Sequence, residues 1–189
     1  MAHELAYVDG KLVPAAEATV PVHDRSFLYG DGAFDTAVVR QGRVFRLEAH
    51  VDRLLRSLHV LRIPPPLPRT ELIDAALGLL RANRVVDGFL RLVVSRGTCP
   101  WVSLDPRAVS GGPTLVMLTR AADPPGDLAA AVRGRPAGAR AVTASVLKTP
   151  TRALESRVKS NNYPRASWPA SRRSTPGSTR RCSSTRGGA

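Results

Sequence analysis

The N-terminal part of the chain contains two pairs of short apolar runs, and a dipeptide that favours a tight turn separates the runs of each pair. Asp9-Gly10 lies between LAYV and KLVP, and Gln41-Gly42 lies between TAVVR and RVFRL. Short β-rich runs on either side of a two-residue loop that ends in glycine are typical of antiparallel strands joined by a hairpin turn. Both stretches are therefore predicted to form β-hairpins.

Two longer segments repeat their apolar residues at helical spacing. Over residues 48–61, valine and leucine recur at i, i+3, i+4 and i+7, which predicts an amphipathic helix. The proline-rich IPPPLP interrupts this pattern, and Thr70, a residue type suited to an N-cap, then begins a second predicted helix over TELIDAALGLLRAN. FLRLVVSRG and PTLVMLTR follow as predicted strands, so the segment that ends near Arg120 is expected to be an antiparallel-rich α+β unit.

Composition changes after this unit and divides the chain into four parts. We expect a small α+β domain over residues 1–120, a linker containing Pro and Gly over 121–128, and the opening strands of a second, incomplete domain over 129–163. Residues 164–189 have no apolar period and are dominated by Ser, Arg, Pro, Thr and Gly. They are therefore predicted to be a disordered basic tail.

Composition narrows the class of protein. The chain has 189 residues, of which 43% are hydrophobic, so it can build a core. Its two cysteines, Cys99 and Cys182, lie far apart without metal-ligand spacing, which fits a reducing cytoplasm better than a disulfide scaffold. We see no secretory signal pattern and no apolar run long enough to span a bilayer. A cytoplasmic protein that does not enter membranes is therefore expected.

The net charge of +13 at first suggests a nucleic-acid-binding protein. The positive charge, however, comes from arginine spread through the whole chain, without interleaved aromatic residues, and six of the arginines lie in residues 164–189. Such a distribution favours a solvated basic surface over a nucleic-acid footprint. Nucleic-acid binding without catalysis is kept as the alternative from another functional class.

Three stretches could carry chemistry, although each has a plainer interpretation when taken alone. HDRSFLYGDGAFDT places glycines between aromatic residues and would let the backbone approach a ligand, or it is only a tight loop. His50 and Arg53, three residues apart on one helix, project together, and a guanidinium suits a phosphate. Lys159, in VKSNNY, is one of few lysines; in a partly apolar site its pKa would fall, and the amine could attack a carbonyl.

Taken together, the order and spacing of these stretches resemble the class IV, fold-type IV family of pyridoxal-phosphate enzymes from about Tyr7 to Tyr163. YVDGKLVPAAEATVPVHDRSFLYGDGAFDT, FRLEAHVDRLLRSL, VVSRGT and VKSNNY are the matching segments. The family includes branched-chain and D-amino-acid aminotransferases and aminodeoxychorismate lyase. The resemblance implies an α+β fold in which the small N-terminal domain of fold-type IV enzymes precedes a larger cofactor-binding domain.

The resemblance also implies roles for individual residues. Lys159 would form an aldimine with pyridoxal 5'-phosphate and then move a proton between substrate and cofactor. Arg53 would bind the cofactor phosphate, and Tyr163 would lie near the ring oxygen of the cofactor. Arg96 would bind the substrate carboxylate, and Phe34 would lie beside the substrate. No metal site is implied.

The function implied is transamination between an amino acid and a 2-oxo acid, with aminodeoxychorismate lyase activity as the alternative within the family. A homodimer is expected by resemblance, because members of the family commonly place the active site near a subunit interface. Neither nucleic acid nor membrane is an expected partner.

The segment after Tyr163 departs from the family pattern. Residues 164–189 contain no aspartate or glutamate to pair with the pyridine nitrogen of the cofactor, and the family's following helix is not recognisable. A slip of the coding frame at about Tyr163 would explain the change, and a natural disordered tail is the alternative. We therefore expect this chain to be truncated relative to the family and impaired in activity.

Overall fold

The computed structural model describes residues 4–122, 141–143, 158–162 and 180–182. The chain divides into two compact units. Met1–Pro125 and Val158–Asn162 form the first unit, and Gly126–Arg157 and Tyr163–Ala189 form the second. The four-part division expected from composition stays a prediction.

The first unit is a six-stranded sheet with two long helices. Its elements are β1 (Leu5–Val8), β2 (Lys11–Pro14), α1 (Arg25–Tyr29), β3 (Gly32–Arg40), β4 (Arg43–Val44), α2 (Leu47–Leu61), α3 (Arg69–Ala82), β5 (Gly88–Ser95) and β6 (Thr114–Ala121). The strand order is β2-β1-β6-β5-β3-β4, and all neighbours are antiparallel. The predicted α+β class, the two hairpins, the two long helices and the strands β5 and β6 are confirmed.

Both hairpins turn at the dipeptides that the sequence singles out. Asp9 and Gly10 have φ values of 44° and 93°, and Gln41 and Gly42 have φ values of 51° and 71°. Positive φ at both central residues defines the turn whose twist matches that of paired antiparallel strands. The second turn brings Arg40 opposite Arg43, and β3 and β4 pair over only two residue pairs.

Helices α2 and α3 cover one face of the sheet. The apolar stripe of α2, which includes Val51, Leu54 and Leu58, is fully buried. It packs in one core with residues of α3 and with every second residue of β5, including Leu90 and Leu92. The opposite face of the sheet remains open among the described residues: Val38, Phe89 and Leu118 on it are each about two-fifths exposed (40%, 42% and 39%).

Two local predictions differ from the structure. Helix α3 begins at Arg69 with Pro68 as its N-cap, so Thr70 lies inside the helix. The extended backbone of Pro68 suits this position, and its carbonyl accepts the first intrahelical hydrogen bond from Leu72 N at 3.0 Å. The stretch before β3, interpreted as a loop, contains the five-residue helix α1. Such a short helix shows no apolar period, although Asp24 and Gly30 cap its two ends.

The second unit contains one described pair of strands. β7 (Ala141–Thr143) pairs in parallel with β8 (Arg180–Cys182). The expectation that residues 164–189 form a disordered tail stays a prediction; the structure describes Arg180–Cys182 of this segment, as a strand paired with β7. The other residues of the tail lie outside the described residues. In the described parts of the chain, no helix has both the length and the apolar character needed to cross a membrane.

Candidate active site

The segment Val158–Asn162 lies along the edge of β3 and brings Lys159 next to Phe34. Phe34 N donates to the Lys159 carbonyl at 2.9 Å, and Asn161 N donates to the Gly32 carbonyl at 2.8 Å. An antiparallel bridge joins Ala33 to Ser160 between these two bonds. The first half of β3 accepts this partner because β4 pairs only with its last two residues. The backbone of Lys159 is thus fixed by a strand-like pairing.

The glycines before β3 permit this close approach. A Cβ atom on Gly32 would collide with the Val94 carbonyl and would lie 2.5 Å from Asn161 Nδ2. A Cβ atom on Gly30, whose φ is 66°, would lie 3.0 Å from the backbone of Asn162. The amide of Asn161 is itself held by a hydrogen bond to Ser26 Oγ at 2.6 Å. The YGDG stretch therefore has a steric role in seating the lysine segment.

Replacing Gly32 with alanine is expected to destabilise the chain by about 2 kcal/mol or more, because the backbone must move to relieve the clash. Gly78→Ala is the matched control: Gly78 lies in α3, and a Cβ atom there would meet nothing within 4 Å. This control is expected to stabilise the chain by up to about 1 kcal/mol. Urea denaturation measures both changes, and equal effects would contradict close packing at Gly32.

The side chain of Lys159 lies on the open face of the sheet in an electropositive setting. Its Nζ is 4.6 Å from the centroid of the Phe34 ring, and the guanidinium carbon of Arg91 is 4.3 Å from the same centroid. Burial lowers the pKa of Lys159; Asp35 opposes this change, and the positive charges of Arg53 and Arg91 reinforce it. A larger fraction of the amine is therefore neutral, and nucleophilic, than in an exposed lysine.

On the helix-covered side of β3, a buried carboxylate holds the two side chains that project together from α2. Asp35 is fully buried and accepts hydrogen bonds from Arg53 Nε at 2.6 Å, Arg53 Nη2 at 2.7 Å and His50 Nδ1 at 2.8 Å. Thr36 N adds a fourth bond at 2.7 Å. Burial alone would raise the pKa of Asp35, but the hydrogen bonds from Arg53 and His50 outweigh it and keep the pKa below its ordinary value.

Lys159 and Arg53 are also connected through one hydroxyl. Lys159 N donates to Ser57 Oγ at 3.3 Å, and Ser57 Oγ donates to the Arg53 carbonyl one helical turn earlier at 2.9 Å. Ser57 is buried, with 2% of its surface exposed. The amine and the guanidinium that the sequence assigns to one site are thus carried by elements in direct contact.

Arg96 is hydrogen-bonded to Asp31 and to the end of α2. Its Nε and Nη2 donate to the two carboxylate oxygens of Asp31 at 2.8 and 3.0 Å. Its guanidinium also donates to the carbonyls of Leu61 and Arg62 at 2.8 and 2.9 Å, where α2 ends. Terminal carbonyls of a helix need such donors. These contacts favour a structural role for Arg96, and its assignment to the substrate carboxylate stays a prediction.

The sequence interpretation did not identify Asp35 and Arg91, which the structure adds to the site. The alternation of side chains along a strand could have located both residues. Asp35 follows Phe34 on β3 and therefore faces the helices, whereas Arg91 lies between the inward-facing Leu90 and Leu92 of β5 and therefore faces the other side of the sheet. Arg91 also lines an open groove of about 530 Å³ on the exposed face of the sheet, together with Thr36, Phe89 and Leu118. Tyr163 lies outside the described residues.

Comparison with known proteins gives the relatives of this chain. The family model described as Amino-transferase class IV matches residues 32–175. A Methanocaldococcus jannaschii protein, named provisionally as a branched-chain-amino-acid aminotransferase, is 40% identical over 157 residues, which are 83% of this chain and 51% of that protein. The Mycobacterium tuberculosis bifunctional aminodeoxychorismate lyase / D-amino acid transaminase is 35% identical over 92 residues, covering 48% and 32% of the two chains. The chain thus spans about half the length, or less, of these curated relatives.

Solved structures share the fold. The branched-chain aminotransferase of Thermoproteus uzoniensis, solved with norvaline, superposes with a TM-score of 0.72 at 26% identity, covering 88% of this chain and 55% of that one. The 4-amino-4-deoxychorismate lyase of Pseudomonas aeruginosa gives a TM-score of 0.70 at 24% identity, covering 96% and 61%. The second likeness shows the fold alone.

Proposed function

Because the chain belongs to the class IV aminotransferase family, we propose that it carries the catalytic lysine and the phosphate anchor of a pyridoxal-phosphate-dependent aminotransferase. The reaction proposed is amino-group transfer between an amino acid and a 2-oxo acid. The observation that carries the proposal is the pairing of Lys159 with β3 beside Phe34, in a setting that lowers its pKa and ties it to α2.

The residues present fit pyridoxal 5'-phosphate, the cofactor of this family. An aldehyde needs a neutral amine, which Lys159 supplies, and a phosphate needs a planar fork of donors, which Arg53 supplies. The cofactor, when bound, contributes a ring that accepts electrons from the carbon next to the substrate amine. Tyr163 is proposed to hold the ring oxygen of the cofactor.

Lys159 is further proposed to hold and move a proton at Nζ. An amine serves best as a base when its pKa lies near the working pH, and burial with neighbouring Arg53 and Arg91 moves the pKa of Lys159 in that direction. The ring of Phe34 beside Nζ limits access of water from one side.

Arg91 is proposed to bind the substrate carboxylate. Its guanidinium carbon lies 4.3 Å from the centroid of the Phe34 ring, which Lys159 Nζ also contacts at 4.6 Å, and Arg91 lines the open groove. A carboxylate bound by Arg91 would therefore lie on the side of the sheet that carries Lys159. Arg96 is the competing candidate, although its donors already meet Asp31 and the end of α2. Loss of substrate affinity in Arg91→Gln with retained cofactor binding supports Arg91.

Aminodeoxychorismate lyase activity is the second candidate function. It is supported by the M. tuberculosis relative, whose name carries both activities, and by a Bacillus subtilis aminodeoxychorismate lyase that is 34% identical over 95 residues. Release of 4-aminobenzoate, measured beside 2-oxoglutarate-dependent transamination, separates the two. The homodimer and the cytoplasmic location remain predictions.

Reductive trapping tests the proposal on the unaltered chain. Incubation with pyridoxal 5'-phosphate followed by borohydride is expected to attach one phosphopyridoxyl group per chain, and peptide mapping is expected to find it on Lys159. The chain has only three lysines, so Lys11 and Lys148 serve as internal controls. Labelling spread evenly over the three lysines, or no labelling, would overturn the proposal.

A further inference from the structure

The five residues Val158–Asn162 belong to the first unit, although the chain on both sides of them belongs to the second unit. Two backbone hydrogen bonds join them to β3, from Phe34 N to the Lys159 carbonyl and from Asn161 N to the Gly32 carbonyl. Strand pairing as short as this is at best marginally stable by itself. The location of the Lys159 amine therefore depends on the other contacts of this segment.

Two serines supply such contacts, one on each side of the bridge to β3. Lys159 N donates to Ser57 Oγ on α2 at 3.3 Å, and Asn161 Nδ2 donates to Ser26 Oγ on α1 at 2.6 Å. We propose that Ser57 and Ser26 are positioning residues, which hold the backbone around Lys159 and so keep its amine in one place. This inference rests on the proposed function, because it takes Lys159 as the amine that attaches pyridoxal 5'-phosphate.

The hydroxyl of Ser57 is oriented to accept the hydrogen bond from Lys159. Its single proton is donated to the Arg53 carbonyl, one helical turn earlier, at 2.9 Å, so its lone pairs are directed to other donors. The other buried residues of α2 are valine and leucines. Alanine would suit a helix better than a serine that bonds to the carbonyl four residues earlier. The contact with Lys159 N therefore explains this serine better than helix stability does.

Ser26 is fixed from the opposite direction. Its N–H donates to Asp24 Oδ1 at 2.7 Å, and Asp24 is fully buried. Ser95 Oγ on β5 donates to the same carboxylate oxygen at 2.6 Å, which joins α1 to the sheet. The amide of Asn161 packs so closely against β3 that a Cβ atom on Gly32 would lie 2.5 Å from its nitrogen. Ser26 therefore holds Asn161 from a rigid part of the unit.

Positioning affects the chemical step more than binding. The reacting atoms must approach to about 3–3.5 Å with their orbitals aligned, and a displacement of about 1 Å can slow a reaction about a hundredfold. The lysine side chain is flexible, so a fixed backbone limits the positions that its amine can occupy. Loss of either serine is therefore expected to slow covalent attachment and to leave noncovalent binding of the cofactor nearly unchanged.

The test compares pyridoxal 5'-phosphate with pyridoxamine 5'-phosphate, which has the same ring and phosphate but no aldehyde. In Ser57→Ala, covalent attachment to Lys159, followed by absorbance and by borohydride trapping, is expected to slow about tenfold. The affinity for pyridoxamine 5'-phosphate is expected to equal that of the wild type. Ser110→Ala is the matched control: it removes an exposed hydroxyl, which donates to the Thr98 carbonyl at 3.4 Å, and neither quantity is expected to change.

Ser26→Ala tests the second contact, and it is expected to slow attachment in the same way. If Ser26 acts through Asn161, the double variant Ser26→Ala/Asn161→Ala should attach the cofactor no more slowly than Asn161→Ala alone. Effects of the two substitutions that simply add would overturn the role of Ser26. Failure of Ser57→Ala to fold would show that Ser57 is structural and would overturn its role, and Ser26→Ala would still test that of Ser26.

Hydrogen exchange gives a readout without the cofactor. In Ser57→Ala, the backbone N–H of Lys159 is expected to exchange about tenfold faster than in the wild type, because the acceptor of its hydrogen bond is removed. The N–H of Leu90, in the centre of β5, is expected to exchange at the wild-type rate. Unchanged exchange at Lys159 would overturn the role of Ser57, and faster exchange at both positions would indicate loss of the fold instead of loss of position.

The outcomes distinguish this inference from the proposed function. A wild-type chain that does not attach pyridoxal 5'-phosphate to Lys159 would overturn both. Normal attachment in the wild type that is equally fast in Ser57→Ala and Ser26→Ala would overturn positioning and leave the proposed function intact. Equal losses of attachment rate and of affinity for pyridoxamine 5'-phosphate would show that the serines only stabilise the fold, which also overturns positioning.

Discussion

A chain carrying Lys159→Ala is expected to lose covalent attachment of pyridoxal 5'-phosphate completely, together with the absorbance band that attachment produces near the visible edge. No other lysine occurs among residues 151–189 to replace the amine. Any amino transfer that the wild-type chain supports is expected to fall by more than about a thousandfold, because both the nucleophile and the base are removed. Absorbance titration with the cofactor and single-turnover kinetics measure these losses.

The control for this variant is Lys11→Ala. Lys11 lies exposed on β2, away from β3, so this change removes one lysine without touching the proposed site. Its cofactor spectrum is expected to equal that of the wild type. A band that survives in Lys159→Ala, or that disappears in Lys11→Ala, would contradict the assignment of the catalytic lysine.

The lowered pKa of Lys159 adds a pH dependence with a definite sign. Only the neutral amine attacks an aldehyde, so attachment becomes faster as the pH rises through the pKa of the attacking amine. Because burial, Arg53 and Arg91 lower the pKa of Lys159, the rise is expected at a lower pH than for an exposed lysine near the ordinary value of about 10.4. Rapid mixing with the cofactor at several pH values measures it.

The long helices and the hairpins of the first unit could be predicted because each has a recognisable pattern in the sequence. Helix α2 repeats its apolar residues over four turns, and the two hairpins are marked by glycine at the second turn position. Helix α1 has five residues and could be recognised only from its caps, Asp24 and Gly30. The strand Arg180–Cys182 has no apolar pattern, and only its pairing with β7 defines it.

The candidate site could be predicted in part for a similar reason. Lys159 and Arg53 stand out by residue type and by the motifs around them. Asp35 and Arg91 acquire a meaning only when the register of β3 and β5 shows which side of the sheet each side chain faces. The contacts of Arg96 depend on Asp31 and on where α2 ends, both distant in sequence. Residue type therefore indicated chemistry, whereas tertiary structure determines which charged groups are already engaged.

The largest expected effect on stability is that of Asp31→Asn. Asp31 lies between two arginines: Arg25 Nε donates to it at 2.8 Å, and Arg96 donates through Nε and Nη2 at 2.8 and 3.0 Å. The side chains of Arg25 and Arg96 are only 6% and 16% exposed. Removing one member of a buried ionic group leaves its partners uncompensated, and we expect a loss of about 3 kcal/mol in the free energy of unfolding. Thermal or urea denaturation measures the loss.

The dependence of the free energy of unfolding on pH, measured under acidic conditions, tests the ion pairs of Asp31 independently. Burial acts to raise the pKa of Asp31, but the hydrogen bonds from Arg96 and Arg25 lower it below the ordinary value. A carboxyl group with a lowered folded-state pKa stabilises the protein above the unfolded-state pKa of about 3.9, and this contribution disappears as the pH falls through the folded-state pKa. The stability difference between wild type and Asp31→Asn is therefore expected to shrink below about pH 4.

Asp105→Asn is the control that separates burial from charge pairing. Asp105 accepts short hydrogen bonds from the side chain and backbone of Arg107, and these bonds lower the pKa of Asp105 to about 2. The pair is nevertheless exposed: 89% of the Arg107 side chain and 42% of the Asp105 side chain are accessible to solvent. Water screens such a pair, so its loss is expected to leave the melting temperature unchanged. If Asp105→Asn and Asp31→Asn proved equally destabilising, the contribution of these ion pairs to the free energy of unfolding would not depend on their exposure. The structural role of Arg96 would then lose its support. If only Asp31→Asn is destabilising, Arg96 is engaged in holding the end of α2, and Arg91 is the better candidate for the substrate carboxylate.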